Sequence, residues 1–219
     1  MTLMFNYSGL LRQPFEHIKG AFEPNLITID EIENYLNNHK FLEDELSVID
    51  PDSNIKSDYN SIPGPWRKQY DPKSISNLWE QGFAFILHTP FINKKVKQIV
   101  ASVEASNFAS ADAHVYCGKK TSQSFHPHSD NNWNVIIQCS GVTEWNVWDA
   151  KSMYDAEVFE NGIDQNAQWN FYAMPGDALI LPRYQIHQAI PMTDRISVSI
   201  PFAPGPRTIQ NDMKLSWDD

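Results

Sequence analysis

The residues best suited to do chemistry are His128, Asp130 and His187. His128 and Asp130 are two apart, so on an extended strand their side chains share one face. An imidazole and a carboxylate on one face, joined by a distant imidazole, make a two-His-one-carboxylate set. Such a set takes three neighbouring positions of an octahedral metal and leaves the rest open, as a non-haem Fe(II) oxygenase requires. The plain alternative is a His–Asp hydrogen bond at a sheet rim. His126 is a rival ligand, because His126-Pro127-His128 imitates the HxH of sites built from three His and a Glu. That pattern needs a Glu three or four residues after the second His, where Asn131 and Asn132 stand. His126 is therefore expected to line the mouth of the site.

The elements that must position these groups read as a β-rich second half behind a helical first half. Residues 1–27 suggest a packing arm with one short strand. A helix opens at Thr28 or Asp30, where a capping side chain precedes acidic first-turn residues. Residues 47–72, with Pro51, Pro63, Gly64 and Pro65, suggest a long loop. A helix is expected over Ile75 to Trp79, a buried strand over Gly82 to Leu87, and a helix from about Asn93 with Val96, Ile99, Val100 and Val103 on one face. From Ala111 the pattern changes to short strands separated by turns, including a strand carrying His128 and a tight turn at Pro175-Gly176-Asp177. An acidic insertion fills 149–168. Short strands with turns between them suggest an all-β barrel or jelly roll. The expected organisation is a helical region over 1–110 packed on a barrel over 111–206, with a tail over 207–219.

Composition narrows the function. A formal net charge of −10 argues against general nucleic-acid binding, which depends on Lys and Arg displacing counterions from phosphates. Lys94-Lys95-Val96-Lys97 and Lys119-Lys120 read as solvated surface. Acidity leaves a basic peptide or a cationic small molecule open as substrate. Cys117 and Cys139 sit in apolar, strand-like surroundings and read as buried reduced thiols of a cytoplasmic protein. Met1-Thr2-Leu3-Met4-Phe5 does not read as a signal peptide. No apolar run approaches the ~18 residues of a membrane span.

Taken together, His128-Ser129-Asp130, Gly141, Trp145, Pro175-Gly176-Asp177, Pro182 and His187 resemble the cupin-type Jumonji C (JmjC) oxygenases, from about Gly82 to Phe202. Within that family the sequence is similar to the ribosomal-protein hydroxylases, above all over residues 122–130, and to the asparaginyl hydroxylase of the hypoxia factor. The resemblance implies a mainly β fold, a double-stranded β-helix, binding Fe(II) and 2-oxoglutarate. It implies use of O2 to hydroxylate, or oxidatively demethylate, a peptide or small-molecule substrate. With 17 residues after Phe202, the C-terminal domains of the ribosomal group are not expected.

The 2-oxoglutarate site departs from the family pattern. A Lys or Arg commonly stands thirteen residues after the HxD aspartate and pairs the distal carboxylate; here that residue is Thr143. Arg195-Ile196-Ser197, eight residues after His187, resembles the Arg-x-Ser signature of other 2-oxoglutarate oxygenases. On a strand Arg195, Ser197 and Ser199 share a face. Arg195 is therefore a candidate anchor, the alternative being a salt bridge to Asp194 or to the acidic insertion. The resemblance puts Asn134 at the iron-bound end of the co-substrate. Tyr116 could donate its hydroxyl or serve as a core aromatic, Thr143 could add a hydroxyl, and Trp145 and Trp148 read as core. The rival reading for the whole chain is a metal-binding cupin-fold protein that does not use 2-oxoglutarate.

Overall fold

Thr28 starts the first helix, α1 (Ile29–Asn38), as a capping box: its side chain accepts from the Glu31 N–H while Glu31 accepts from the Thr28 N–H. Two orphan helix-end donors are thereby satisfied. Asp71 caps α2 (Pro72–Glu80) by accepting from the Ser74 N–H, with Pro72 in the first turn where its missing N–H costs nothing. The third helix, α3 (Lys94–Asn107), follows Asn93, whose side chain accepts from the Val96 N–H. The computed structural model describes residues 15–203 except 43, 53, 57–60, 63–68, 89–92, 108–109, 121, 123–124 and 149–166. The expected arm before residue 15, the Pro/Gly part of the expected loop (63–66), the acidic insertion (149–166) and the tail (207–219) lie outside the described residues.

The strands are β1 (Glu16–Ile18), β2 (Leu46–Ile49), β3 (Ile55–Lys56), β4 (Ser61–Ile62), β5 (Gln69–Tyr70), β6 (Ala84–His88), β7 (Ser110–Ala111), β8 (His114–Gly118), β9 (Trp133–Ser140), β10 (Thr143–Val147), β11 (Trp169–Ala173), β12 (Ala178–Leu181), β13 (His187–Pro191) and β14 (Arg195–Ala203). A large antiparallel sheet runs β1-β12-β9-β14-β8-β6-β2-β3, with β7 on the end of β14. A small sheet runs β11-β10-β13. The inner faces meet: Ile136, Leu179 and Leu181 of the large sheet pack with Trp145 and Ala173 of the small one. Two opposed antiparallel sheets with these crossovers form the jelly-roll barrel expected from the sequence.

Strand alternation gives the large sheet two different faces. On β14, Ile196, Val198, Ile200 and Phe202 join a core with Val115, Cys117, Phe85 and the inward sides of the three helices. Arg195, Ser197 and Ser199 point the other way and line the barrel cavity. The helices thus cover the sheet's back and leave its front to form the site. Truncating fully buried Phe85 to Ala would cost about 3–5 kcal/mol through the cavity it leaves.

Two expectations change. Within 47–72, β2 joins the large sheet beside β6 and hairpins to β3. The breakers Pro51-Asp52 mark that hairpin's turn, where the Asp50 carboxylate accepts from the N–H groups of Asp52 and Asn54. Second, His128 is not on a continuous strand; it forms an isolated bridge with His187. Pro127 has no N–H to extend a ladder. Strands β1, β2, β3 and β6 lie before residue 111 yet belong to the large sheet, so the barrel wall draws on both halves of the chain. Cys117 and Cys139 are free and buried. Among the described residues no helix is long and apolar enough to cross a membrane.

Candidate metal and co-substrate site

One backbone pairing brings the distant residues together. The His128 N–H donates to the His187 carbonyl (3.1 Å) and the His187 N–H to the His128 carbonyl (2.8 Å). Both imidazoles then project to one side, with ring centroids 4.4 Å apart. Nε2 of His128 lies 4.0 Å from Asp130 Oδ1, and Nε2 of His187 lies 3.8 Å from Asp130 Oδ2. One ligand atom from each of the three residues falls within 4.8 Å of the others. His126 is exposed and outside this group.

Hydrogen bonds fix which nitrogens face the centre. Nδ1 of His128 lies 2.9 Å from the His126 carbonyl, and Nδ1 of His187 lies 2.9 Å from the Gln185 carbonyl. A carbonyl only accepts, so each Nδ1 carries the proton and each Nε2 keeps its lone pair. Burial lowers the His187 imidazole to about 4, helped by His128 and opposed by Asp130. It is neutral at neutral pH, as a metal ligand must be. Asn134 donates to Asp130 Oδ2 at 2.6 Å, and its own oxygen accepts from Ser199 Oγ at 3.2 Å. Two imidazoles and a carboxylate, each braced by a second partner, fit a divalent ion.

A cavity surrounds this group. Tyr116 and Arg195 line it from the large sheet, and Trp145, His187 and Ala189 from the small one. Arg195 is 3% exposed, and its Nη1 approaches Ser197 Oγ at 3.5 Å, whose hydroxyl donates to Gln138. Burial lowers the guanidinium to about 10, against the pull of Cys117 and Tyr116, so it stays charged at neutral pH. Asp194, the suggested salt-bridge partner, is exposed and accepts from the Lys120 N–H. Tyr116 is raised to about 12, first by burial, then by Asp130, with Arg195 opposing. Its hydroxyl therefore keeps its proton.

The sequence-derived candidates fall into two groups. His128, Asp130, His187, Tyr116, Arg195 and Ser197 all line the cavity. Asn134 is buried behind Asp130, and its hydrogen bonds run to Asp130 and Ser199. Thr143 is fully buried, on the same face of β10 as cavity-lining Trp145. Thr143 Oγ1 and Trp145 Nε1 are buried polar atoms with no hydrogen-bond partner among the described residues. Trp145 reads as core in the sequence; its period-two spacing from Thr143 was the available signal that it faces inward. Phe125, stacked edge-on to His128 at 5.3 Å, is a further lining residue.

Comparison with known proteins is consistent with this geometry. The JmjC domain family model matches residues 86–208. The chain is 24% identical over 205 residues to the bifunctional lysine-specific demethylase and histidyl-hydroxylase NO66 of Dictyostelium discoideum, covering 89% of this chain and 37% of that protein. It is 23% identical over 155 residues to ribosomal oxygenase 1 of Danio rerio, covering 68% and 27%. The chain thus spans well under half the length of these curated relatives. YcfD, a ribosomal oxygenase from Escherichia coli solved with cobalt and succinic acid, superposes with a TM-score of 0.58 at 17% identity, covering 94% of this chain and 54% of that one. The same protein with cobalt and 2-oxoglutarate gives 0.55 at 16% identity, covering 98% and 57%. At such identities the likeness establishes the fold.

Proposed function

This chain belongs to the JmjC domain family, and on that premise we propose that it is an Fe(II)- and 2-oxoglutarate-dependent oxygenase acting on a peptide side chain. One observation carries the reading: His128, Asp130 and His187 converge on one point of a cavity that also contains the buried guanidinium of Arg195. A guanidinium in the cavity wall can pair with a carboxylate of an anionic ligand.

The chemistry such a pair supplies is oxidative decarboxylation of the oxo acid coupled to insertion of one oxygen atom of O2 into a substrate C–H bond. The chain's own share is binding, orientation and exclusion of water. His128, Asp130 and His187 hold the metal from one side. Asn134 holds the Asp130 carboxylate. Arg195, four residues from Ser199 along β14 or ~13 Å by strand rise, holds the far carboxylate of the oxo acid. Thr143 Oγ1 and Trp145 Nε1, both without partners among the described residues, offer it hydrogen bonds from the opposite sheet. Tyr116, between the two ends, donates its retained proton. Ile136, Ala189 and Phe125 keep the cavity apolar between these polar groups.

The names of the relatives point to ribosomal proteins and to lysine and histidine side chains as what those proteins act on. For this chain the supported class is a peptide, presenting one side chain to the cavity beside the oxo acid.

Anaerobic addition of Fe(II) and then 2-oxoglutarate tests the core of the reading. A visible charge-transfer band that needs both components, and that is lost in His187→Ala, is the expected result. No band in the wild-type protein under saturating conditions would overturn it.

A further inference from the structure

The metal-binding residues sit on two loops, 125–132 and 182–186 with the first residue of β13. The His128–His187 backbone pair would join them in any case. A second set of contacts is not required by that pairing. Tyr184 has φ of 65°, the left-handed region that is strained for a bulky residue. That conformation turns its N–H onto the Asp130 carbonyl at 2.8 Å. Its hydroxyl donates to Asn131 Oδ1 at 2.6 Å. Arg183 Nε donates to the same oxygen at 2.7 Å, and Arg183 Nη2 donates there too. The guanidinium stands over the Tyr184 ring, 4.7 Å from its centroid.

Arg183 and Tyr184 share one amide oxygen as acceptor, which ties the 182–186 loop to the 125–132 loop through Asn131. Asn131 and Arg183 are exposed and none of the three lines the cavity. What they adjoin is the least protected ligand. The Asp130 side chain is 40% exposed, against 6% for His187. Asn134 braces its carboxylate from inside, and the Tyr184 N–H holds its backbone carbonyl.

We propose that Asn131, Arg183 and Tyr184 form a clasp that locks the Asp130 backbone to the His187 loop and so sets the distance between the carboxylate and the two imidazoles. The three are positioning residues: they act on the metal through Asp130 and touch neither metal nor substrate. The strain at Tyr184 is maintained by the Asn131 contacts, and it aims one N–H at one carbonyl. The inference rests on the metal-centre reading above.

Co(II) serves as the probe, followed by its visible absorption in wild-type protein and in Asn131→Ala, Arg183→Ala, Tyr184→Phe and Asn131→Asp. Residues that orient metal ligands typically contribute about 10–100-fold to metal affinity. Asn131→Ala is expected to raise the Kd for Co(II) about tenfold or more, and Arg183→Ala and Tyr184→Phe severalfold. The melting temperature of the metal-free protein should not move, because Asn131 and Arg183 are exposed and Tyr184→Phe removes only a hydroxyl whose partner is the exposed Asn131. Asn131→Asp keeps the acceptor and strengthens it toward the guanidinium, so it should bind Co(II) at least as tightly as wild type. Equal Kd values for wild type and Asn131→Ala would overturn the clasp. So would a fall in metal-free melting temperature that tracks the loss of affinity, since that would mark a merely structural contact. Failure of wild-type protein to bind Co(II), with His187→Ala indistinguishable from it, would overturn both the metal centre and the clasp; binding that the clasp variants share unchanged would overturn the clasp alone.

Discussion

Asn134 donates its amide to Asp130 Oδ2 at 2.6 Å while accepting from Ser199 at 3.2 Å. The carboxylate beside the two imidazoles is therefore tied through one buried amide to the strand that also carries Arg195. A metal held by Asp130 and a carboxylate held by Arg195 would share one rigid support, β14, with Asn134 as the link.

Asn134→Leu removes that link while keeping the volume. The Asp130 carboxylate loses a charge-assisted donor, a bond of about 1.5 kcal/mol given the partial exposure of Asp130. Mn(II) affinity, read by the electron paramagnetic resonance signal of the free ion, is expected to fall about 10–100-fold. Unchanged affinity would show that Asn134 does not orient the ligand.

Asp177 ties the N-terminal segment to the barrel. Its carboxylate accepts from the Gly20 N–H at 2.8 Å, the Met174 N–H at 3.0 Å and His17 Nε2 at 2.9 Å. Burial pushes its pKa up, but the backbone donors of Met174 and Gly20 and the His17 ring outweigh it, and the result lies below the ordinary 3.8. The folded state thus prefers the ionised form. Its contribution is complete above the ordinary carboxylate value and is lost as pH falls through the lower folded one. Asp177→Asn is expected to cost about 2 kcal/mol in urea denaturation at neutral pH and to lessen the loss of stability below pH 3.8. Gly176 cannot share the load: its φ is 96°, and a Cβ there would meet the Phe22 carbonyl at 2.7 Å.

The convergence of His128, Asp130 and His187 was legible in the sequence because two signals were independent: the two-residue step from His128 to Asp130, and a turn-strand run leading to His187. The helices were legible from Thr28, Pro72 and Asn93, whose capping chemistry is local. β2 was obscured because Pro51 and Asp52 dominate a short window, while Val48 and Ile49 become a strand only beside β6, a long-range partner. The His128 strand was over-read for the opposite reason: the chemistry needs convergence, and a single bridge to His187 provides it without a ladder. The direction in which the Asn134 amide points, and the clasp at Asn131, depend on loops distant in sequence; no periodicity encodes them.

His88 and His114 face each other across β6 and β8 with their Nδ1 atoms 2.9 Å apart, and His88 Nε2 lies 2.7 Å from Ser47 Oγ. One proton lies between the two Nδ1 atoms. A second would break the bond and set like charges in contact. Burial lowers both imidazoles, His114 lowers His88 further, and Asp112 works against the shift in each. The unfolded chain, with imidazoles near 6.5, then binds more protons than the folded one just below that pH. Stability is expected to be complete above pH 6.5 and to fall as pH drops beneath it. Urea midpoints on either side of pH 6.5 should show this slope in wild-type protein and a flatter one in His88→Gln. Identical slopes would mean the pair does not titrate as a unit.

Arg195 decides whether the cavity is built for a dicarboxylate. It is the cationic side chain lining the cavity among the described residues, while the family's usual cation position holds Thr143, fully buried with a polar atom that lacks a partner among the described residues. Arg195→Met preserves length and removes charge. The Co(II) form of this variant is expected to bind metal as wild type does, because Arg195 is not among the ligands. Calorimetric titration with 2-oxoglutarate under nitrogen should show affinity reduced roughly 100-fold, the loss of a charge-assisted pair worth about 3 kcal/mol. Arg195→Lys should recover only part of it, since an ammonium cannot match a carboxylate with two parallel donors. Adding Thr143→Lys to Arg195→Met moves the cation across the barrel to the other sheet and should restore binding in part. If Arg195→Met binds 2-oxoglutarate as tightly as wild type, the guanidinium serves another purpose and the co-substrate must be anchored elsewhere in the cavity.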